Sequence, residues 1–426
     1  MTTPTLQQEK LTTSLRPKNR AKWVADLAKN KILQRLKHLH TGQLTLIDGE
    51  ETHSFGQTST ELHAVIKVHD SRFYGEIAFG GSIGAGEAYM LGYWTTDHLT
   101  ELVRIMCINQ SVMDALEGGY QWLTKPILKV LHWLNSNTTE GSRKNIAAHY
   151  DLGNELFQLF LDPTMMYSSA IFNHQTQTLQ QASELKLKTI CDKLDLKPTD
   201  HVVEIGTGWG GFAIYAAKHY GCRVTTTTIS KQQFSLAKLR VEAAGLSDKI
   251  TLLLEDYRHL DGVFDKLVSI EMIEAVGHQF YDTYFAKVGA LLKPDGLALI
   301  QAITITDQRY ESAKSSVDFI QRYIFPGSCI PSNTAMLNSI TRMSDMRLID
   351  LEDIGPHYAT TLGMWRMNFF KNINQVRALG YSEEFIKMWE FYFCYCEGGF
   401  IERALGDVHL LLAKPNNKRD TLTPKD

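Results

Sequence analysis

Strand-like and helix-like patterns alternate over much of the carboxy-terminal two thirds of the chain. Five short stretches are rich in apolar and β-branched residues, which is typical of strands. They are HVVEIG (201–206), RVTTTTI (223–229), KITLLLED (249–256), FDKLVSIE (264–271) and LALIQAI (297–303). Segments with apolar residues at helical spacing separate them, at 211–219, 231–244 and 279–292. This alternation predicts an α/β domain built on a doubly wound parallel sheet.

The amino-terminal part has a different pattern. In residues 18–40 apolar side chains recur at helical spacing, and the polar face is basic, with Asp26 as its one acidic residue. A basic amphipathic helix favours a membrane surface, although the same pattern fits a helix that packs its apolar face on its own domain. Residues 42–100 alternate apolar and polar positions between glycines, which predicts a small β-containing unit. Residues 99–135 are helical and rich in aromatic side chains.

Length and local composition predict the domain boundaries. A chain of 426 residues is too long for one ordinary core. The first 17 residues are polar and mixed, and we expect them to be disordered. The stretch NSNTTEGSRKN (135–145) has the composition of a linker. We therefore expect a smaller α+β domain over 18–134, a larger α/β domain over 146–416 and a tail over 417–426.

Charge and composition exclude some broad classes of protein. A formal net charge of -3 argues against a general nucleic-acid binder, because that role requires neutralisation of many phosphates. The apolar runs are too short to cross a bilayer and no signal peptide opens the chain, so we expect a cytoplasmic protein. The six cysteines lack the spacing of a zinc site and are expected to be reduced thiols.

The sharpest motif is VEIGTGWGG (203–211), where a predicted strand ends and a helix begins. Gly206 and Gly208 allow the backbone to turn tightly and to approach a ligand, and Glu204 lies at the strand end. Together with Gly210 they have the spacing G-x-G-x-G-G, whereas a pyrophosphate-binding loop has G-x-G-x-x-G. The helix that follows offers free amide hydrogens at its amino terminus.

A second feature lies at the end of the third predicted strand. Asp256 provides a carboxylate acceptor there, and Tyr257 provides an aromatic face suited to adenine. Taken alone, the pair fits an exposed turn. Combined with the glycine loop, it favours S-adenosylmethionine as the cofactor, with the amino-acid end of that molecule against the loop.

Further segments extend these motifs over roughly residues 75–415. They are GSIGAGEAYMLGYW (81–94), HYDLGNELFQLFLDPTMMYSSAIF (149–172), VEIGTGWGGFA (203–213), TISKQQ (228–233), VSIEMIEAVG (268–277), YIFPGSCIPS (323–332), GPHYATTL (355–362) and CEGGFIER (396–403). In these segments the chain resembles the cyclopropane-fatty-acyl-phospholipid synthases and the mycolic acid cyclopropane synthases. The resemblance implies a Rossmann-like class I methyltransferase domain with a smaller α+β amino-terminal domain that contacts lipid.

The resemblance also implies a set of cofactor contacts. Tyr167 and Ser168 would cover S-adenosylmethionine, and Gly206 and Gly208 would contact its methionine part. Thr228 and Gln233 would contact the ribose region, and Tyr257 the adenine. The other candidates for the cofactor site are Glu204, Gly210 and Asp256.

A buried bicarbonate ion acts as the base in the family that the chain resembles. Glu274 and Tyr358 match two of its expected holders, and Ile303 would contribute its backbone. Ser169 and Gln301 stand where the family has a cysteine and a histidine, and Ala275 replaces a further histidine. Serine and glutamine can still donate hydrogen bonds to an anion.

The chemistry implied by the resemblance starts from a weak nucleophile, the double bond of an acyl chain, and a strongly electrophilic sulfonium methyl. Methyl transfer in a dry site leaves a carbocation, which aromatic faces such as those of Tyr167 and Tyr358 can stabilise. Trp365 and Phe369 fit helix packing better. Loss of a proton from the new methyl closes a cyclopropane ring, and loss from a neighbouring carbon leaves a methyl or methylene branch. Both outcomes stay open, with the ring favoured by the resemblance.

The expected partners follow from that substrate. An acyl chain must be drawn from a phospholipid bilayer, so we expect peripheral membrane association, and a homodimer is a further expectation. Two other functions stay open: a small-amine N-methyltransferase, which usually lacks a segment like GEAYMLGYW (86–94), and a lipid-binding protein with a decayed site. Binding of S-adenosylmethionine and the identity of the methylated product distinguish them.

Overall fold

The computed structural model describes residues 22–58, 61–117, 152–174 and 177–419. The predicted disordered tail, the linker 135–145 and the final residues 420–426 lie outside that part, as do His149, Tyr150 and Asp151 of the segment HYDLGNELF. The described residues form two compact units. Among these residues no helix combines the length and the apolarity needed to cross a bilayer.

The first unit contains a four-stranded sheet and most of the amino-terminal helices. The strands are β1 (Gln43–Asp48), β2 (Glu51–Gly56), β3 (His63–Val68) and β4 (Trp94–Thr96), in the order β2-β1-β3-β4. The helices are α1 (Lys22–Leu36), α2 (Arg72–Met90), α3 (Leu99–Ile108) and α4 (Gln110–Glu117). The β-containing unit expected over 42–100 is present, but it also contains α2. Gly81, at φ +54°, kinks this helix.

Helix α1 lies within the segment predicted to be a basic amphipathic helix. Its buried apolar residues recur every three or four positions, at Ala25, Ala28, Ile32 and Leu36. This spacing places them on one face of the helix, which packs in its own unit against α2. Lys29 forms ion pairs with Asp48 at 2.6 Å and with Glu51 at 2.9 Å. The apolar face of α1 therefore packs on its own unit, which was the alternative to a membrane-surface role in the sequence analysis.

The first unit also includes two segments from the second half of the chain, 315–326 and 365–404. The sequence-based division assigned both to the larger domain. Helix α14 (Glu383–Ile401) contacts α2 and α3, and the ring of Phe391 lies 6.0 Å from that of Tyr89 and 4.6 Å from that of Phe319. These aromatic contacts join distant segments, which a pattern read along the chain does not reveal.

The second unit is built on a seven-stranded sheet. Its strands are β5 (His201–Ile205), β6 (Arg223–Thr228), β7 (Ile250–Leu254), β8 (Phe264–Ile270), β9 (Leu292–Ile305), β10 (Arg347–Asp353) and β11 (Leu405–Ala413). Their order is β10-β11-β9-β8-β5-β6-β7, in which β7, β6, β5, β8 and β9 are parallel and β11 is antiparallel to both its neighbours. The five predicted strands and the doubly wound sheet are confirmed. The antiparallel pair β10 and β11 was not predicted.

Helices cover the sheet. They are α5 (Asn154–Gln158), α6 (Leu179–Lys193), α7 (Gly211–Tyr220), α8 (Lys231–Ala243), α9 (Tyr281–Ala290), α10 (Asp307–Ala313) and α11 (Asn333–Met343). Helix α12 (Gly355–Lys371) begins in this unit and ends in the first unit, which also contains α13 (Ile373–Ala378). Two apolar clusters form the core, one containing Phe285 and Val288 of α9 and the other containing Phe212 and Ala216 of α7. The carboxyl ends of the parallel strands meet at one edge of the sheet, where α/β folds of this type bind ligands.

Candidate active site

The glycine loop joins β5 to α7 at this edge. Gly206 and Gly208 have φ values of +100° and +52°, which favour glycine. The amide groups of Gly206 and Thr207 both donate to the carbonyl oxygen of Thr227, at 3.1 and 2.9 Å, and thereby fix the loop to β6. A Cβ atom added at Gly208 would have no neighbour within 4 Å. The loop is therefore rigidly placed and leaves open space at Gly208.

Not every motif residue of this loop faces that space. A Cβ atom added at Gly210 would lie at van der Waals distance, 3.5 Å, from Ala237, so this glycine faces α8. The carboxyl group of Glu204 is buried and accepts a hydrogen bond of 2.6 Å from the Thr226 hydroxyl. Burial raises the pKa of Glu204 to about 8. The geometry therefore gives Gly210 and Glu204 structural contacts inside the fold.

The predicted ribose and adenine contacts lie at the ends of β6 and β7. The Thr228 hydroxyl donates to Oε1 of Gln233 at 2.9 Å. Asp256 is buried and forms an ion pair of 2.6 Å with Arg258. Burial tends to raise the pKa of Asp256, but the hydrogen bonds and charge of Arg258 outweigh it and lower that pKa. The Asp256 carboxylate is thus charged and held in place, and the ring of the following residue, Tyr257, packs against the core.

A buried lysine lies behind the segment predicted to cover the cofactor. The ammonium group of Lys186 donates to the hydroxyl oxygen of Ser168 at 2.7 Å. Burial lowers the pKa of Lys186 to about 8, although the nearby charge of Glu271 favours its charged form. Because Ser168 accepts this bond, its own hydroxyl hydrogen remains available to a carboxylate acceptor. Sequence reasoning missed Lys186, which lies in the plain helical pattern of α6.

Three groups predicted to hold the base converge on Glu271. The Tyr358 hydroxyl donates to its Oε2 at 2.7 Å. The Ser169 amide and the Gln301 side-chain amide both donate to its Oε1, each at 2.7 Å. The Ser169 hydroxyl donates elsewhere, to the carbonyl oxygen of Ala170 at 3.0 Å. Ser169 therefore acts on Glu271 through its backbone.

Gln301 links Glu271 to the antiparallel strand β11. Its side-chain amide also donates to Oδ2 of Asp407 at 2.9 Å, and its carbonyl oxygen lies 3.3 Å from Nε2 of His409. Burial, followed by the charge of Glu271, raises the pKa of Asp407 well above its usual range. Burial lowers the pKa of His409 well below its usual range. Asp407 and His409 are therefore neutral supports for Gln301.

Glu271 itself carries the negative charge of this cluster. Burial raises its pKa, but Lys186 and the hydrogen bonds from the Ser169 amide and Tyr358 partly offset that rise. Three donors at 2.7 Å and a buried ammonium group favour the carboxylate over the acid. A residue at φ +48° with a side chain is uncommon, and Glu271 adopts this value directly after β8.

Glu274, which the resemblance places at the base site, has different partners. Its Oε1 accepts from the Ile303 amide at 2.5 Å, and its Oε2 has no hydrogen-bond partner among the described residues. Burial, followed by the charge of Glu271, raises the pKa of Glu274 to about 8. The structure thus groups Ser169, Gln301 and Tyr358 on Glu271 and leaves Ile303 with Glu274.

Sequence reasoning missed Glu271, although a signal was present. VSIEMIEAVG contains two glutamates, and the first is the last residue of the predicted strand 264–271, directly after the end of β8 at Ile270. Ile270 pairs with Gln301 in the parallel register of β8 and β9, so the next residue after Ile270 lies beside the glutamine. Asp407 and His409 were missed because β11 was not predicted.

The aromatic residues considered for stabilising a carbocation differ in their surroundings. The Tyr167 ring packs on Phe157 and Phe160, with centroids 5.3 and 6.1 Å apart. In the first unit, Phe369 stacks on Trp389 at 6.2 Å, and Trp365 is fully buried. The packing role expected for Trp365 and Phe369 agrees with this burial.

The sheet order, the glycine loop after β5 and the acidic residue after β7 together define an S-adenosylmethionine-dependent methyltransferase of class I. The family model of mycolic acid cyclopropane synthetase matches residues 137–410, and the chain belongs to this family.

Curated relatives and a solved structure agree with this assignment. Tuberculostearic acid methyltransferase UfaA1 of Mycobacterium tuberculosis is 38% identical over 329 residues, which are 75% of this chain and 76% of that protein. Cyclopropane-fatty-acyl-phospholipid synthase of Escherichia coli K12 is 38% identical over 345 residues, which are 80% of this chain and 85% of that protein. Mycolic acid cyclopropane synthase CmaA1, complexed with SAH and CTAB, has a TM-score of 0.58 and 29% identity over 64% of this chain and 98% of its own.

Three predictions from the sequence are therefore confirmed. The fold contains a class I methyltransferase sheet, and the cofactor is S-adenosylmethionine. The protein is a methyltransferase of the cyclopropane synthase family, with a lipid as its substrate class.

Proposed function

We propose that this enzyme transfers the methyl carbon of S-adenosylmethionine to the double bond of an unsaturated acyl chain of a phospholipid and closes a cyclopropane ring. The observation that carries this proposal is the buried carboxylate cluster beside the glycine loop. Strands β5 and β8 are neighbours, and a Cβ atom added at Gly206 would lie 3.2 Å from the side chain of Met272. Glu271, the residue before Met272, therefore lies close to the loop.

The residues at this edge fit the cofactor. Open space at Gly208 allows a ligand to approach the backbone, and the Ser168 hydroxyl hydrogen can be donated to a carboxylate. The proposed contacts are Tyr167, Ser168, Gly206, Gly208, Thr228, Gln233, Asp256 and Tyr257. When bound, the cofactor supplies an electrophilic methyl carbon. The protein's task is to orient the double bond, exclude water and remove a proton.

The buried site suits a cationic intermediate on the acyl chain. The Glu271 carboxylate, which accepts from three donors at 2.7 Å, contributes a negative charge, and Tyr358 and Tyr167 contribute aromatic rings. In a poorly solvated site these groups interact with a cation more strongly than they would in water. Loss of a proton from the added methyl then closes the ring. The branched alternative requires loss of a proton from a neighbouring chain carbon.

The proposal includes a bilayer as the source of the substrate. On α1, Lys31, Arg35 and the following Lys37 are exposed. Each basic residue near an anionic surface contributes about 1 kcal/mol to binding. We expect replacement of these three residues by glutamine to weaken co-sedimentation with anionic vesicles at low salt. Unchanged co-sedimentation would contradict membrane contact through α1, and light scattering would test the expected homodimer.

Purified enzyme, S-adenosylmethionine and vesicles of an unsaturated phospholipid test the reaction itself. We expect the acyl chains to gain one CH2 unit, with cyclopropane proton signals in the NMR spectrum of their methyl esters. A methylene branch has the same mass but lacks these signals. Methyl transfer to a small amine in a parallel reaction, with none to the lipid, would contradict the proposal.

A further inference from the structure

The groups that would hold a bicarbonate ion are already bonded to protein carboxylates. Tyr358, the Ser169 amide and Gln301 donate to Glu271, each at 2.7 Å. The Ile303 amide donates to Glu274 at 2.5 Å. The Ser169 hydroxyl donates to the carbonyl oxygen of Ala170 at 3.0 Å, so every predicted donor at this site is engaged within the protein. The described residues therefore do not fit a bicarbonate ion bound in the predicted manner.

The charge of the site also disfavours an additional anion. Glu271 is buried, and its counter-charge is the ammonium group of Lys186. A bicarbonate ion beside Glu271 would add a second negative charge at short range, which is costly in a buried site. Lys186 is in turn held by Ser168, next in the chain to Ser169. The donors at this site and the cation Lys186 therefore match a single carboxylate rather than two anions.

The backbone of Glu271 adopts an uncommon conformation. Its φ of +48° is strained for a residue with a side chain, and such strain concentrates at functional sites. Its amide still donates to the carbonyl oxygen of Gln301 at 2.9 Å, so the residue is anchored to β9 on both its backbone and its side chain. Asp407, behind Gln301, extends this support to β11.

We propose that Glu271 is the catalytic base and that the enzyme works without bicarbonate. The assignment rests on the proposed function. The added methyl carbon, bonded to one former alkene carbon, loses a proton to a carboxylate oxygen of Glu271. The electron pair of that C–H bond forms the third C–C bond of the ring at the cationic carbon. Glu271 becomes a carboxylic acid and later releases its proton to solvent.

Activity in the absence of bicarbonate tests this assignment in the wild-type enzyme. Turnover is measured with phospholipid vesicles in buffer stripped of carbon dioxide and again with bicarbonate added. We expect equal rates in the two buffers. A rate that depends on bicarbonate would overturn the assignment while leaving the proposed function intact.

Variants of Glu271 provide a second test. We expect Glu271→Gln and Glu271→Ala to lower turnover roughly 100-fold or more, the range typical of a lost general base. In Glu271→Ala the donors lose their carboxylate, so added bicarbonate, formate or acetate should restore turnover in a saturable manner. The matched control is Glu242→Gln on the exposed face of α8, with wild-type turnover.

Binding measurements separate a catalytic from a merely structural role. We expect labelled bicarbonate to bind Glu271→Ala but not the wild type, as followed by carbon NMR, and S-adenosylmethionine to bind both equally in calorimetry. Near-wild-type turnover of Glu271→Gln would contradict the assignment. If Glu271→Ala does not fold, the wild-type comparison decides alone. Absence of product from wild type in both buffers would instead contradict the proposed function.

Discussion

The hydroxyl of Tyr358 donates a 2.7 Å hydrogen bond to Oε2 of Glu271, joining α12 to the end of β8 within the second unit. A hydrogen bond to a charged group contributes about 1.5–3 kcal/mol. We therefore expect Tyr358→Phe to lower kcat roughly 10- to 100-fold, since about 1.4 kcal/mol corresponds to a factor of ten. Steady-state kinetics with vesicles would measure this change. An unaltered kcat would show that the bond has no part in catalysis.

Ser169 and Gln301 differ in how they reach Glu271, and their variants should differ accordingly. Ser169 uses its backbone amide, so Ser169→Cys should keep near-wild-type turnover. Gln301 uses its side chain, so Gln301→Leu should lower turnover roughly tenfold or more and leave Asp407 without that donor. Comparison of the two rates tests the geometry directly. A larger loss from Ser169→Cys than from Gln301→Leu would contradict it.

The open space at Gly208 leads to a prediction about the cofactor. In Gly208→Val a branched side chain would occupy that space, at a φ of +52° that valine disfavours. We expect no measurable binding of S-adenosylmethionine in calorimetry, with circular dichroism confirming the fold. Gly245→Val, in a turn with open space and φ +67°, is the control for backbone strain alone. Equal affinity of Gly208→Val and wild type would contradict the assigned cofactor position.

The buried carboxyl group of Glu204 should make stability depend on pH. Its pKa of about 8 in the folded protein lies above that of the unfolded chain, so between about pH 4.5 and 8 the unfolded state binds fewer protons. The free energy of unfolding should then fall with rising pH, by up to about 1.4 kcal/mol per pH unit from this group. Glu204→Gln should reduce that slope in urea unfolding at pH 5, 6, 7 and 8. An unchanged slope would show that Glu204 does not titrate in this range.

Much of the sheet could be predicted because its parallel strands have local signals. Strands β5 to β9 are short runs of apolar and β-branched residues, separated by helical segments. Helix α2 was missed because its glycine-rich sequence has weak helical character. Its stability depends on packing, as shown by Gly86, where a Cβ atom would lie 2.4 Å from the ring of Phe319. Such long-range contacts are not encoded in local periodicity.

The active site could be predicted only in part, because its details also depend on contacts that local sequence patterns do not reveal. The resemblance implied an anion held by Ser169, Gln301 and Tyr358, and in the structure these three residues donate to the carboxyl group of Glu271. The identity of the acceptor depends on which of two glutamates in VSIEMIEAVG the donors face, and Glu271 and Glu274 are only three residues apart. Backbone geometry decides between them, since Glu271 adopts φ +48° at the strand end and Glu274 instead accepts the Ile303 amide.

The position of the transferred carbon tests the central claim most directly. Wild-type enzyme and Gly208→Val are each incubated with unsaturated phospholipid vesicles and S-adenosylmethionine carrying ¹³C in its methyl group. Carbon NMR of the acyl methyl esters should locate the label in the CH2 of a cyclopropane ring for wild type, with none for Gly208→Val. Label in a methyl or methylene branch, or none in the acyl chains of the wild-type sample, would contradict the account.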